Sequence, residues 1–201
     1  MPLPYVPPQG IGLGKQPVRV DRVVLTEPTT EIVLGPYPWG SVIRIYGNLL
    51  IEMDYGLLIN ADRGPYYYYF YDGYVTGGQN LTPNYGVGLW GTLNPIFSLV
   101  PGVWLGTSLP LPGPSGFTAT LWPCRFTEYG ETRDAYCFEV ISWVEGYLQG
   151  IGYEYILFRQ YGFYSPLSHP DTVMVNIIEY PFGAPLPQFQ PGSEVVVEVL
   201  E

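Results

Sequence analysis

Charged residues are scarce in this sequence. Lysine, arginine, aspartate and glutamate together make up 13% of the 201 residues, whereas about 25% is typical of soluble domains. A well-solvated surface uses roughly 25–35% of these residues, so uncharged polar groups, aromatic groups or other subunits must cover much of this protein. The scarcity of charge therefore predicts a surface that is in large part an interface.

Basic residues are the scarcest of the charged ones. The chain has 8 lysines and arginines against 18 aspartates and glutamates, a formal net charge of −10, and Lys15 is the only lysine. A negative field of this size repels phosphate groups and anionic lipids. The sequence also lacks an apolar run of the roughly 18 residues that a spanning helix needs. We therefore expect no binding to nucleic acid and no insertion into a membrane.

Residues that carry common catalytic and metal chemistry are nearly absent. His169 is the only histidine, and the two cysteines lie at no zinc-ligand spacing. The segment Gly113–Gly116 lacks the spacing of a nucleophile elbow. The glycines of Gly10–Gly14 have neither the preceding strand nor the Lys-Ser/Thr ending of a phosphate-binding loop. We predict no catalytic residue, no metal site and no cofactor.

Carboxylates are the one enzymatic option that remains. A glycosidase needs only two acids about 5–10 Å apart. The acids that fall in predicted strands are Glu52, Glu139, Glu145, Glu154 and Glu179. Solvation of outward-facing strand positions explains such acids more simply, so a hydrolase is kept only as an alternative.

Glycine and proline leave little room for helices. The 25 glycines and 22 prolines are spread along the chain, and only Glu131–Glu145 offers a long uninterrupted window. Its β-branched and aromatic residues favour a strand. Many short β-rich runs bounded by turn residues predict an all-β fold, namely an antiparallel β-sandwich of jelly-roll type with an extended Pro/Gly-rich N-terminal arm.

The predicted domain organisation is an arm over residues 1–17 and one β-sandwich domain over residues 18–201. The domain includes a long uncharged excursion around residues 80–114. The prolines and glycines of the arm exclude a regular element. The arm is either a solvated terminus or a segment that lies along a neighbouring subunit. Its apolar residues Tyr5, Val6 and Ile11 favour the second interpretation, because a solvated tail carries little apolar surface.

Alternation of apolar and polar residues locates several strands. In the C-terminal strand, valines alternate with glutamates, and the same pattern predicts a strand around Val173–Ile177. Val18–Leu25 is predicted to be the first core strand. A further strand is predicted through Leu49, Ile51 and Met53.

Turn residues predict hairpins. Asp and Gly in Tyr71–Tyr74 fit a type I′ turn, and Asp54–Leu57 is a weaker case. Gly at the first central position of Tyr129–Thr132 fits a type II′ turn. Counting back from that turn places Cys124 directly opposite Cys137, within the range of a disulfide. Two free thiols in a reducing compartment are the alternative.

Aromatic residues, 16% of the chain, include a run of six. In a strand this run places aromatics on both faces, so a second sheet, a subunit or a ligand must bury one of them. We predict subunit contacts through the arm and through this strand; the residues are Tyr5, Val6, Ile11, Tyr66, Tyr67, Tyr68, Tyr69 and Tyr71.

Two classes of function fit these observations. The first is a non-enzymatic assembly protein, a capsid, decoration or spike subunit located in a virion, whose partners are copies of itself and other subunits. The alternative is an extracellular carbohydrate-binding or receptor-binding module that uses exposed Tyr and Trp, with glycans as partners. The apolar arm favours the first class.

Overall fold

The computed structural model describes eleven ranges or single positions of the chain. They are residues 17–51, 55–62, 67–76, 82–86, 103–106, 115–128, 130–148, 152–166, 168, 170–179 and 188–200. Within β5–β7 and parts of β8–β11, defined below, only the backbone is described. The described residues contain strands and no helix, so the all-β prediction is confirmed.

Twelve strands occur in the described residues. They are β1 (Pro17–Val24), β2 (Glu31–Pro38), β3 (Val42–Leu49), β4 (Tyr55–Ile59), β5 (Tyr67–Thr76), β6 (Thr82–Gly86), β7 (Val103–Gly106), β8 (Ser115–Glu128), β9 (Glu131–Leu148), β10 (Gly152–Tyr164), β11 (Thr172–Glu179) and β12 (Glu194–Leu200). The window Glu131–Glu145, which the sequence assigns to a strand, lies within β9.

These strands form two antiparallel sheets. The large sheet has eight strands in the order β1-β12-β3-β8-β9-β10-β5-β6, and the small sheet has four in the order β2-β11-β4-β7. The first and last described strands meet in the large sheet, where β1 pairs with β12. The architecture is thus sandwich-like, with long-range pairing between the first and last described strands.

The core lies between the two sheets. Val195, Val197 and Val199 of β12 have 0%, 0% and 3% exposure, while the glutamates between and beside them are partly exposed. The ring of Tyr55 in the small sheet lies 6.3 Å from that of Phe117 in the large one. Burying each such side chain contributes about 1.5–3 kcal/mol. The alternation predicted for β12, and likewise for Val173–Ile177 in β11, is confirmed.

The prediction that Val18–Leu25 forms a core strand is wrong in part. The strand exists as β1, but it lies at one end of the large sheet, and Val18, Val20 and Val24 are 57%, 54% and 48% exposed. Alternation reports which residues share a face of a strand. It does not report whether another layer covers that face, and here the valines lie on the face opposite the core.

Two predicted turns are also wrong. Tyr71–Tyr74 lies inside β5, where Gly73 pairs with Phe158 of β10 and with Asn84 of β6. Gly56, predicted in a turn, lies inside β4 and pairs with Ile178. Hydrogen bonding on both sides of these strands outweighs the local turn preference of the Asp-Gly and Gly residues.

A tight turn connects β4 to the residues that follow it. The N–H of Asp62 donates to the carbonyl of Ile59 at 3.0 Å, and Asn60 and Ala61 both have positive φ, at 56° and 54°. The Asn60 side chain anchors the turn to β11, because its Oδ1 accepts a hydrogen bond from the N–H of Met174 at 2.7 Å. Asn tolerates this conformation, whereas Ala does so at a cost.

The substitution Ala61→Gly should stabilise the protein. Glycine removes the Cβ that makes φ of 54° unfavourable, and we expect a gain of about 0.5–1 kcal/mol in the free energy of unfolding, measured by chemical denaturation.

The matched control is Ala135→Gly, at a buried position within β9. There the same change should destabilise by about 1 kcal/mol, because glycine weakens a strand and leaves a small void. A loss of stability in Ala61→Gly would contradict the conformational cost assigned to this turn.

Candidate assembly surface

Some of the predicted contact residues fall in the large sheet. Tyr67, Tyr68, Tyr69 and Tyr71 belong to β5, while Tyr66 lies outside the described residues. The predicted arm contacts Tyr5, Val6 and Ile11, and with them all of residues 1–16, also lie outside the described residues. Contact through these side chains stays a prediction.

The position of β5 limits how it can contact another subunit. The strand pairs with β10 along its length and with β6 from Tyr71 to Val75. These pairings use the backbone groups of its second half on both sides. Any subunit contact through that half must therefore involve a face of the sheet rather than added strand pairing.

β1 presents an edge that sequence reasoning did not single out. Among the described strands its only partner is β12, so we name the side of Pro17–Val24 that faces away from β12 the β1 edge. The N–H of Leu25 donates to the carbonyl of Ser193 at 2.9 Å, toward β12. Because peptide groups alternate along an antiparallel strand, those of Val20 and Arg22 point to the β1 edge.

Apolar side chains accompany this edge on the outer face of the large sheet, the face turned away from the core. Val20 and Val24 are 54% and 48% exposed. Between them Arg22 forms an ion pair with Glu194 of β12, with 2.7 Å between Nε and Oε1. Unpaired strand edges with exposed valines readily add another strand.

On the core side, the β1 edge is closed by a polar cluster. A guanidinium nitrogen of Arg19 lies 2.7 Å from a carboxylate oxygen of Asp21, and another donates to the carbonyl of Pro36 at 3.0 Å. The buried Tyr37 of β2 donates its hydroxyl to Asp21 at 2.9 Å, and its ring lies under the Arg19 guanidinium. The cluster ties the first strand of one sheet to the first strand of the other.

The contacts within this cluster shift its ionisation. The hydrogen bond from Arg19 holds the pKa of Asp21 below its usual value, and the Tyr37 hydroxyl acts in the same direction. Burial raises the pKa of Tyr37 well above the usual tyrosine value, and the neighbouring Asp21 carboxylate raises it further. Asp21 is therefore a carboxylate and Tyr37 a neutral donor across the physiological range.

Most of the charged strand side chains that the structure describes pair with one another, several of them across strands. On the outer face the cross-strand pairs are Arg22–Glu194, Arg44–Glu198 and Arg159–Glu139. Glu139, one of the acids considered for catalysis, thus has Arg159 as its partner, with 2.7 Å between Nε and Oε1. Glu52 lies outside the described residues, and the side chains of Glu145, Glu154 and Glu179 are not described.

The structure joins Cys124 and Cys137 by a disulfide, with Cα atoms 5.8 Å apart. The predicted register is nevertheless wrong by two residues, because Cys124 pairs with Ala135 and Cys137 with Trp122. Glu128 pairs with Glu131, whereas the predicted turn places Tyr129 opposite Thr132. The two cysteines are diagonal neighbours on one face, and at 5.8 Å they remain within disulfide range.

Two shallow depressions occur in the described part of the large sheet. One of about 340 Å³ lies beside the disulfide and is lined by Trp39, Arg125 and Asp134 among others. The other, of about 320 Å³, lies on the outer face and is lined by Tyr46, Gly47, Asn48, Phe117, Thr118, Glu194 and Val196.

No group of three or more His, Cys, Asp or Glu side chains suited to a metal ion occurs among those described. No helix long and apolar enough to cross a membrane occurs in the described ranges.

Comparison of the chain with protein-family models, with curated proteins and with solved structures found no match. The geometry of the described residues therefore carries the functional proposal.

We expect the disulfide to be present in the purified, non-reduced protein. Alkylation after denaturation should add no mass without reductant and two adducts after reduction. Because the cysteines are 13 residues apart, reduction should lower the free energy of unfolding by about 3 kcal/mol. The double variant Cys124→Ser/Cys137→Ser should match the reduced protein, and two adducts without reductant would contradict the bond.

Stability should fall at acidic pH through Asp21. Because its pKa is lower in the folded than in the unfolded state, Asp21 contributes stability above its unfolded pKa of about 3.9. This contribution is lost as the pH falls through the folded pKa. In Tyr37→Phe the carboxylate loses a donor, so the acid-side slope of unfolding free energy against pH should become shallower. An unchanged slope would show that the Tyr37 hydroxyl does not act on Asp21.

Proposed function

We propose that this protein is a non-enzymatic structural subunit that assembles with copies of itself and with other subunits. The assembly we propose is a virion, with the chain serving as a capsid, decoration or spike subunit. The observation that carries the proposal is the β1 edge, where exposed valines and backbone groups directed away from β12 come together at the strand that follows the predicted arm.

The jelly-roll form of the sandwich belongs to this proposal, and the strand pairing supports it. A jelly roll of eight strands folds back on itself, so that the first strand pairs with the last, the second with the seventh, and so on inward. With β5, β6, β9 and β10 set aside, the nested pairs are β1·β12, β2·β11, β3·β8 and β4·β7. The pairings β12·β3 and β11·β4 then join them into two sheets.

The four strands set aside widen the large sheet. They lie consecutively beyond β8, in the order β9-β10-β5-β6. Since neighbouring strands are about 4.8 Å apart, the small sheet of four strands is about half as wide as the large sheet of eight. The extension carries the tyrosine-rich β5 past the small sheet, where a second subunit can pack against it.

The pairing of charges also supports an assembly role. The described part of the outer face presents ion pairs that are already satisfied within the subunit, so the charges of these pairs do little to repel another surface. Isolated surface ion pairs add about 0–1 kcal/mol each. Their main consequence here is that the charges of these three pairs cancel within the subunit.

A carbohydrate-binding or receptor-binding module is the second candidate. The depression on the outer face supports it, because it combines an aromatic ring, an amide and a carboxylate in Tyr46, Asn48 and Glu194. Such groups can stack on and hydrogen-bond to a sugar. This role does not account for the β1 edge or for the apolar arm, so we rank it second.

The test of the assembly proposal is the solution mass, measured by light scattering over a concentration series. We expect a discrete oligomer, and we expect deletion of Met1–Lys15 to raise the concentration of half-dissociation by about tenfold or more. Far-UV circular dichroism should show the β-fold unchanged.

A full-length variant with Tyr5, Val6 and Ile11 replaced by serine is the matched control for arm length. It should weaken assembly as the deletion does, because it removes the apolar contacts alone. A strict monomer at every concentration would overturn the assembly proposal and favour the binding module. An oligomer that neither change weakens would show that the arm takes no part in the assembly.

A further inference from the structure

We infer that β1 pairs in antiparallel fashion with β1 of a second copy. The two strands are related by a two-fold axis that lies midway between the two copies of Val20. The inference rests on the proposed assembly function and specifies one of its contacts. It joins two large sheets of eight strands each into one continuous sheet.

The backbone supports pairing at this position. The backbone groups of Leu25 point toward β12, as its hydrogen bond to Ser193 shows, and successive residues point to opposite sides of the strand. The peptide N–H and carbonyl of Val20 therefore point to the β1 edge. A two-fold axis at Val20 places this residue opposite itself in the second copy. The two residues then exchange both of their hydrogen bonds, as in an ordinary antiparallel pair.

The charges of β1 select this register. With Val20 on the axis, Arg19 of each copy lies opposite Asp21 of the other, in the closer type of pair, about 4.5 Å between Cα atoms. Registers centred on Arg19, Asp21 or Arg22 place two like charges directly opposite each other, which is unfavourable. Among these neighbouring registers, the Val20 register alone opposes unlike charges.

The intramolecular contacts are compatible with the pairing. Arg19 and Asp21 already lie 2.7 Å apart on one side of the strand, with 46% and 29% of their side chains exposed. In the pair of copies, each carboxylate lies between its own guanidinium and that of the second copy. The four groups form a closed charge network that needs no other partner.

The pairing also removes apolar surface from water. Val20, 54% exposed in the single chain, packs against its counterpart at the axis. A two-fold axis normal to the sheet keeps the outer faces of both copies on the same side, so the contact is self-complementary. Pairing satisfies backbone groups that are otherwise prone to non-specific edge association.

The experiment is cross-linking of Val20→Cys in the full chain. The native cysteines are joined to each other, so the introduced thiol is the reactive one. At the axis the two Cα atoms are about 5.5 Å apart, within disulfide range. Mild oxidation should therefore produce a covalent dimer on non-reducing electrophoresis.

Val24→Cys is the matched control, since Val24 lies on the same strand and face and is 48% exposed. In the proposed register the two copies of residue 24 are about 27 Å apart, at about 3.4 Å per residue. The control should therefore yield little dimer. Equal cross-linking of both variants, or none for Val20→Cys, would overturn the inference.

A charge exchange provides a second, independent readout. Arg19→Asp alone places two carboxylates opposite each other and should weaken self-association by about tenfold. The double variant Arg19→Asp/Asp21→Arg restores unlike pairs and should recover it. A double variant as weak as the single one would count against the Val20 register.

Light scattering of Val20→Cys under reducing conditions separates the two levels of proposal. An oligomer whose thiol fails to cross-link would overturn β1 pairing and leave the assembly function standing. A monomer would overturn both.

Discussion

The packing of β12 between β1 and β3 is the interaction on which the rest of the structure depends. Its three inner valines lie in the core, and its two sides hold the first strand and the third. β12 lies at the opposite end of the chain from β1, so this sheet forms only after a long loop has closed. Without β12, β1 would lose its only described partner, and the β1 edge would not exist.

The unusual composition has a physical counterpart in this arrangement. Few charges are present, and those described on the outer face are largely paired across neighbouring strands. On the core side of β1, Arg19 and Asp21 form an ion pair, and Asp21 accepts a hydrogen bond from Tyr37. On the other side of the strand, valines are exposed. Charges that cancel in pairs within the subunit oppose contact with another protein less than unpaired charges do.

The errors of sequence reasoning share one cause. Asp72-Gly73 has the local chemistry of a turn, yet strands on both sides hold it extended. Cys124 and Cys137 meet diagonally rather than directly, because a shift of one residue in the turn moves the register by two. Val18, Val20 and Val24 of β1 are expected in the core from the sequence, but they lie on the outer face and are exposed among the described residues. Each error concerns a long-range partner, which local patterns do not encode.

The sequence by itself determined the all-β class, the alternation in β11 and β12 and the nearness of the two cysteines, because these follow from local propensity and a period of two. Only the tertiary structure decided which strand lies at an edge, which acids have ion-pair partners and how strands nest between the chain ends. These features depend on pairings between segments that are distant in the sequence. The packing of the whole core decides which of these segments pair. The β1 edge is therefore a property of the fold, although its charge pattern is written in the sequence.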